Sequence, residues 1–101
     1  MKFVYLILTL SILGASGATL ASEDLAKAKN CLSCHSVANK MVGPAFKDVA
    51  AKYKADKKAA PALAAKIKAG GKGVWGEIPM PPNNVTEAES RQLVAWILGL
   101  K

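Results

Sequence analysis

The sequence predicts a small all-α domain, and three observations support that prediction. Apolar residues recur at helical spacing in several stretches, no stretch alternates apolar and polar residues as a strand would, and the 101-residue chain has room for one domain. With 51% hydrophobic and 21% charged residues, the composition excludes an intrinsically disordered chain. Two cysteines are too few for a disulfide-dense scaffold. The expected architecture is about four helices and one long loop.

Residues 1–22 have the pattern of a secretory signal peptide. Lys2 is the only charge before Glu23, residues 3–13 form an apolar run, and small residues follow. A membrane anchor is the alternative, but the run is shorter than the roughly 20 apolar residues of a membrane-spanning helix. We therefore expect cleavage on export after Ala18, Ala21 or Ser22. Cleavage after Ser22 removes residues 1–22 and leaves residues 23–101 as the functional domain.

The first two helices are predicted from a cap and from an apolar stripe. Ser22 can cap the first helix, which would carry Leu25 and Ala28 inward. The second helix follows Pro44. Its apolar residues recur at i, i+3, i+4 and i+7, and they are Phe46, Val49, Ala50 and Tyr53.

The third helix is predicted to start at Pro61 and to end at Gly70. Proline suits the first turn of a helix, and glycine is common just past its end. Leu63 and Ile67 are spaced to face the core.

The last helix has the clearest start, because Thr86 and Glu89 form a capping-box pattern. Its predicted buried face consists of Leu93, Trp96, Ile97 and Leu100. The glycines and prolines of residues 70–85 predict a loop without regular structure. A domain of this size buries too little surface for high stability, and so long a loop usually serves a function. Both features indicate that a large apolar group fills the centre.

The residues with the most distinctive chemistry are CLSCH, residues 31–35. Cys31 and Cys34 are spaced so that both sulfurs project to one side of a helical turn, where they can form thioethers with the two vinyl groups of a haem. His35 follows directly and is placed to bind the iron from the same side. The motif predicts covalent attachment of a c-type haem.

Other interpretations of the motif compete with haem attachment. A disulfide between Cys31 and Cys34 would close a very small loop, and a thioredoxin-like redox pair needs a βαβ setting that the sequence lacks. A zinc site needs four ligands, whereas His35 is the only histidine and no second cysteine cluster exists. An interaction domain with unmodified cysteines is the remaining alternative.

The sixth iron position decides between an electron carrier and a catalyst. Met41 and Met80 are the thioether candidates. Met80 lies in IPMPP, where prolines restrict the backbone, and this favours Met80 as the ligand. Met41 is interpreted as a packing residue. A catalytic or gas-binding haem protein would need an open iron and a distal acid–base group such as a second histidine.

These motifs resemble the short bacterial class I cytochromes c, and more narrowly the periplasmic monohaem carriers of respiratory and denitrifying chains. The resemblance rests on CLSCH, on KMVGPAF (40–46), on GVWGEIPMPPNNV (73–85) and on LVAWIL (93–98). It implies the small cytochrome c fold, in which the N- and C-terminal helices cross and about four helices wrap one haem. It also implies a periplasmic one-electron carrier and not an enzyme.

The resemblance further implies how the haem is held. Cys31 and Cys34 would bind haem c covalently, and His35 and Met80 would be the axial ligands of its iron. A His/Met pair raises the reduction potential and leaves no open coordination position. The iron would then cycle between its ferric and ferrous states only.

The resemblance also implies roles for four more residues. The Pro44 carbonyl would accept the His35 ring N–H and orient the imidazole. Trp75 would hydrogen-bond a haem propionate, and the Asn83 amide would lie near the methionine sulfur. Lys66 stands where relatives often carry an arginine against a propionate, and lysine lacks the arginine fork.

The formal net charge of +7 indicates acidic partners. We expect a positive rim around the haem edge that steers acidic redox proteins; its candidate residues are Lys27, Lys40, Lys68 and Lys72. By resemblance, the donor would be a cytochrome bc1-type complex and the acceptor a terminal oxidase or a nitrite reductase. Nucleic-acid binding and stable membrane insertion are not expected, and the expected state is a monomer.

Overall fold

The computed structural model describes residues 18–101, with side chains from Ser22 onward. Within that range no β-strand forms, and only Gly71 and Met80 make an isolated antiparallel bridge. The prediction of an all-α fold is confirmed. The helices are α1 (Ala18–Ala28), α2 (Phe46–Tyr53), α3 (Ala59–Ala69) and α4 (Glu87–Leu98), with a 3₁₀ turn at Cys31–Ser33.

The start of α1 differs from the prediction. Ser22 lies inside the helix and is buried, so it does not cap the helix. Leu25 packs against the core as expected, but Ala28 is exposed and Ala26 is the fully buried alanine. Of the predicted signal peptide, only residues 18–22 belong to the described part of the chain.

The next two helices follow their predicted patterns closely. Phe46, Val49 and Ala50 are buried along α2, as the apolar stripe predicts. Helix α3 begins at Ala59, two residues before Pro61, and ends where Gly70 takes a φ of 75° that favours glycine. The side chains of Leu63 and Ile67 pack against the core.

Helix α4 is the central packing element, since it contacts α1, α2 and α3. Leu93, Val94 and Ile97 are buried on it, whereas Trp96 is half-buried and Leu100 lies beyond its end. Two buried clusters meet at Trp96, Cys31 and Leu32. The cysteine-bearing turn is therefore packed into the junction of the core.

The capping box at the start of α4 is confirmed. The Thr86 backbone N–H donates to Glu89 Oε1 over 2.9 Å, and the Glu89 N–H donates to Thr86 Oγ1 over 3.1 Å. Lys29, just after α1, lies 3.6 Å from Glu89 Oε2. These contacts hold the pKa of Glu89 below its usual range, mainly through the hydrogen bond from the Thr86 N–H and also through the charge of Lys29.

A stability prediction follows from that lowered pKa. The charged carboxylate stabilises the fold above its unfolded pKa, and this contribution is lost as pH falls through the lower folded pKa. Glutamine can keep the capping hydrogen bond but has no charge. We therefore expect Glu89→Gln to lower the free energy of unfolding at neutral pH, and the difference from the wild type to shrink as pH falls through the lowered folded pKa of Glu89. Guanidinium unfolding at several pH values measures this difference; a difference that is constant with pH would contradict it.

Candidate haem-binding site

A cavity of about 360 Å³ lies between the cysteine-bearing turn, α3, α4 and the loop of residues 70–85. Its size suits an organic cofactor. Most of its lining side chains are apolar, and Leu63, Ile67, Leu93 and Ile97 are among them. Cys31, Cys34, His35 and Met80 line the same cavity. The fold therefore brings together four residues that the sequence analysis selected for haem attachment and iron ligation.

The 3₁₀ turn positions the two cysteines. Asn30 enters the turn with a φ of 62°, and the N–H groups of Cys34 and His35 both donate to the Cys31 carbonyl, over 3.2 and 3.0 Å. Neither cysteine is in a disulfide, so the predicted alternative of a Cys31–Cys34 bridge finds no support. Burial raises the pKa of the Cys31 thiol, which favours an uncharged sulfur there. The sulfur of a thioether is uncharged, so this environment suits a cysteine bound to haem.

Within residues 18–101, no group of three or more His, Cys, Asp or Glu side chains is arranged to hold a metal ion. The zinc alternative therefore also finds no support. The thioredoxin-like alternative requires strands, and the described part of the chain has none.

The His35 imidazole is oriented by the segment that follows it. Its Nδ1 lies 2.8 Å from the Pro44 carbonyl oxygen, which can only accept, so Nδ1 carries the proton. The other ring nitrogen, Nε2, then keeps a free lone pair for a metal. Gly43 lies close against the ring. A β-carbon at this position would come within 2.7 Å of Nδ1. The close approach therefore requires glycine.

Met80 is held by its backbone within the loop of residues 70–85. The Met80 N–H donates to the Gly71 carbonyl over 2.8 Å, and the Gly71 N–H donates back over 3.0 Å. The prediction of a loop without regular structure missed this bridge. It could not be found from the sequence, because it joins residues whose spacing matches no common hairpin.

Asn83 anchors the same loop to α3. Its Nδ2 donates to the carbonyls of Ile67, over 3.0 Å, and Pro81, over 3.2 Å. Its backbone N–H also donates to the Ile67 carbonyl, over 3.2 Å. Asn83 is not among the residues that line the cavity. Its observed contacts therefore fix the loop that carries Met80.

Trp75 and Lys66 line the cavity from different elements. Trp75 is 42% exposed, and Lys52 of α2 holds its ammonium group 5.5 Å from the centre of the indole ring. The aliphatic part of Lys66 crosses Gly71, where a β-carbon would come within 2.8 Å of Lys66 Cε. Lys52 lies outside the motifs, so no sequence pattern predicted its place beside Trp75.

The two methionine candidates differ in their surroundings. Met41 lines the cavity and is 49% exposed, and its interpretation as a packing residue stays a prediction. Of the candidate rim lysines, Lys40 and Lys72 line the cavity, whereas Lys27 and Lys68 do not.

An all-helical fold, a CxxCH turn and an apolar cavity lined by that turn define the small c-type cytochromes. A family model described as Cytochrome c matches residues 16–101, and the chain belongs to that family. The chain is thus an electron carrier with a covalently bound haem c, and not an enzyme. The cavity and its free thiols fit that group.

Similar proteins agree with this assignment. The chain is 54% identical to cytochrome c-552 of Hydrogenobacter thermophilus over 94 residues, which cover 93% of this chain and 96% of the relative. It is 57% identical to cytochrome c-551 of Azotobacter vinelandii over 79 residues, which cover 78% and 96% of the two chains. The crystal structure of wild-type Nitrosomonas europaea cytochrome c552 superposes with a TM-score of 0.76 at 59% identity, covering 78% of this chain and 99% of that one.

Proposed function

We propose that this chain is a periplasmic one-electron carrier in which His35 and Met80 are the axial ligands of the haem iron. The observation that carries the proposal is that Cys31, Cys34, His35 and Met80 all line one cavity. When bound, the haem supplies an iron that gains and loses one electron. The chain supplies two thiols for attachment, an imidazole with its Nε2 free, and a thioether on a braced loop.

The hydrogen bonds around the two ligands support a fixed coordination geometry. Pro44 holds the imidazole, and Gly71 holds the backbone of Met80. Rigid ligands keep similar positions in both oxidation states, which limits the reorganisation that accompanies electron transfer. A site of this kind leaves no place for a substrate on the iron, in agreement with a carrier.

Trp75 and Lys66 are proposed to bind the haem propionates. Both residues line the cavity, and each has a polar end group that can donate a hydrogen bond, an indole N–H in Trp75 and an ammonium in Lys66. Lys52 adds a second cation near Trp75. Asn83 is proposed to act on Met80 through the loop, because its amide donates to Ile67 and Pro81.

A redox titration followed by optical absorbance tests the proposed function. We expect a single one-electron transition and slow or absent binding of cyanide to the oxidised protein, since both axial positions are filled. Rapid cyanide binding by the wild type, or peroxidase turnover, would favour the catalytic alternative.

The rim of the cavity is proposed to dock acidic redox proteins, by family a cytochrome bc1-type donor and an oxidase or nitrite reductase as acceptor. Several of the side chains that line the cavity are apolar and exposed; they are Met41, Val42, Val74, Trp75 and Ile78. Lys40, Lys66 and Lys72 line the same cavity, with Glu77 as the one acidic residue among the lining side chains. A monomer that binds partners briefly is the simplest form of such a carrier.

Charge reversal tests which lysines steer the partner. We expect Lys40→Glu with Lys72→Glu to slow the oxidation of the reduced protein by ferricyanide, an anion, by about tenfold at low salt. Lys27→Glu with Lys68→Glu is the matched control, because these lysines are also exposed but do not line the cavity. Stopped-flow rates at several ionic strengths measure both. Equal slowing by the two pairs would contradict a local rim.

Export is proposed to remove residues 1–22 and leave a domain of residues 23–101. The positive start, short apolar run and small residues of the leader support this. Cleavage after Ser22 would shorten α1 to its residues 23–28. Among the described residues, no helix has the length and apolar character needed to cross a membrane. The mass of the protein from a periplasmic extract tests the cleavage site.

A further inference from the structure

We propose that Phe46 is a positioning residue that fixes the plane of the His35 imidazole. The inference rests on the proposed role of His35 as an axial ligand and adds a residue that acts on that ligand through ring packing. The sequence pattern identified Phe46 only as a member of the apolar stripe of α2.

The two rings are stacked. Their centroids lie 4.9 Å apart and their planes differ by 20°. Phe46 is itself only 4% exposed, and its ring meets that of Trp96 at 5.5 Å and 72°, an edge-to-face contact. Trp96 of α4 thus restrains the Phe46 ring, which stacks its flat surface on His35.

The hydrogen bond to Pro44 does not fix the ring plane by itself. A single hydrogen bond from Nδ1 tolerates a range of donor angles, so it leaves the imidazole some freedom to turn about its Cβ–Cγ bond. Phe46 limits that rotation from one side, and the backbone of Gly43 closely approaches the ring. One short segment, residues 43–46, therefore supplies the hydrogen bond, the close backbone approach and the stacked ring.

This segment is attached to both chain neighbours of His35. The Gly43 N–H donates to the Cys34 carbonyl over 2.7 Å, and the Phe46 N–H donates to the Ser36 carbonyl over 2.9 Å. Because these bonds flank the histidine on both sides, His35 and the segment around it form one rigid unit. The ring plane is thereby set by the backbone and by Phe46 together.

The plane of an axial imidazole affects the splitting of the iron d orbitals, which is visible in the g-values of the oxidised protein and in the spread of its haem-methyl proton shifts. The decisive variant is Phe46→Leu, which removes the flat ring but keeps an apolar side chain. Phe46→Tyr keeps the ring. Tyr53→Leu is the matched control. Tyr53 also lies on α2 and packs against the buried cluster that contains Phe46, but it does not line the cavity.

We expect Phe46→Leu to shift the g-values and change the spread of the haem-methyl signals, while Phe46→Tyr and Tyr53→Leu keep the wild-type pattern. Wild-type values in Phe46→Leu would overturn the inference, as would an equal shift in Tyr53→Leu. If Phe46→Leu does not assemble with haem, Phe46→Met provides the same test with a flexible side chain. A wild type without the spectrum of histidine and methionine ligation would instead overturn the proposed function, so the two failures are distinguishable.

Discussion

Met80→Ala is expected to lower the reduction potential and to open the iron to small ligands. A thioether ligand favours the ferrous state, so its loss stabilises the ferric state. The expected fall is on the order of a few hundred millivolts, part of the ~0.8 V range over which axial ligands set haem potentials. The oxidised variant should also bind cyanide or imidazole quickly. Voltammetry and stopped-flow absorbance measure the two effects.

Met41→Ala is the matched control for this experiment. Met41 lines the same cavity as Met80 but is 49% exposed and lies outside the braced loop. We expect its replacement to leave the potential and the ligand-binding rate close to those of the wild type. A wild-type potential in Met80→Ala together with a fall in Met41→Ala would assign the sixth ligand to Met41 and contradict the proposal.

Gly70→Ala is expected to displace Met80 without touching its side chain. Gly70 has a φ of 75° and a ψ of −176°, a conformation that is essentially confined to glycine and costs another residue about 1–3 kcal/mol. A β-carbon there would also come within 2.5 Å of the Met80 carbonyl oxygen and 2.9 Å of the Pro82 nitrogen. Both contacts are with backbone, so the loop itself must move. We expect lower stability, a lower potential and weakened methionine ligation.

Gly73→Ala distinguishes the effect of the steric clash at Gly70 from the effect of backbone strain alone. Gly73 also has a positive φ, of 100°, but a β-carbon there meets no protein atom within 4 Å. This variant should lose stability and keep the wild-type potential. Guanidinium unfolding and voltammetry of both variants test the account. An equal fall in potential in both would show that general loosening of the loop, and not the contact at Gly70, controls Met80.

Local rules predicted much of the fold. The capping box of Thr86 and Glu89, the apolar stripe of α2 and the stop at Gly70 depend on nearby residues, and all three are observed. The prediction that Ser22 caps α1 is wrong, because Ser22 lies inside the helix and is buried. Capping propensity is a local signal, and packing within the fold overrides it.

The residues around the cavity were predicted from motifs. The hydrogen bond between His35 and the Pro44 carbonyl was predicted from the family resemblance and is observed, but the other contacts were not predicted. The CxxCH spacing identified Cys31, Cys34 and His35 through its chemistry. The bridge between Gly71 and Met80 and the stacking of Phe46 on His35 join residues whose separation follows no helix, turn or hairpin spacing, so no local pattern encodes them. The exposure of Met41 likewise depends on where the chain turns after Cys34.

The central claim is that a covalently attached haem is bound by His35 and Met80 and serves electron transfer. The optical spectrum of the purified protein, recorded oxidised and then reduced, tests it most directly. The account predicts sharp c-type bands on reduction and, in the oxidised protein, the weak far-red band of ferric iron bound to a methionine sulfur. Haem bands without that far-red band would contradict His/Met ligation, and a colourless protein would contradict haem attachment altogether.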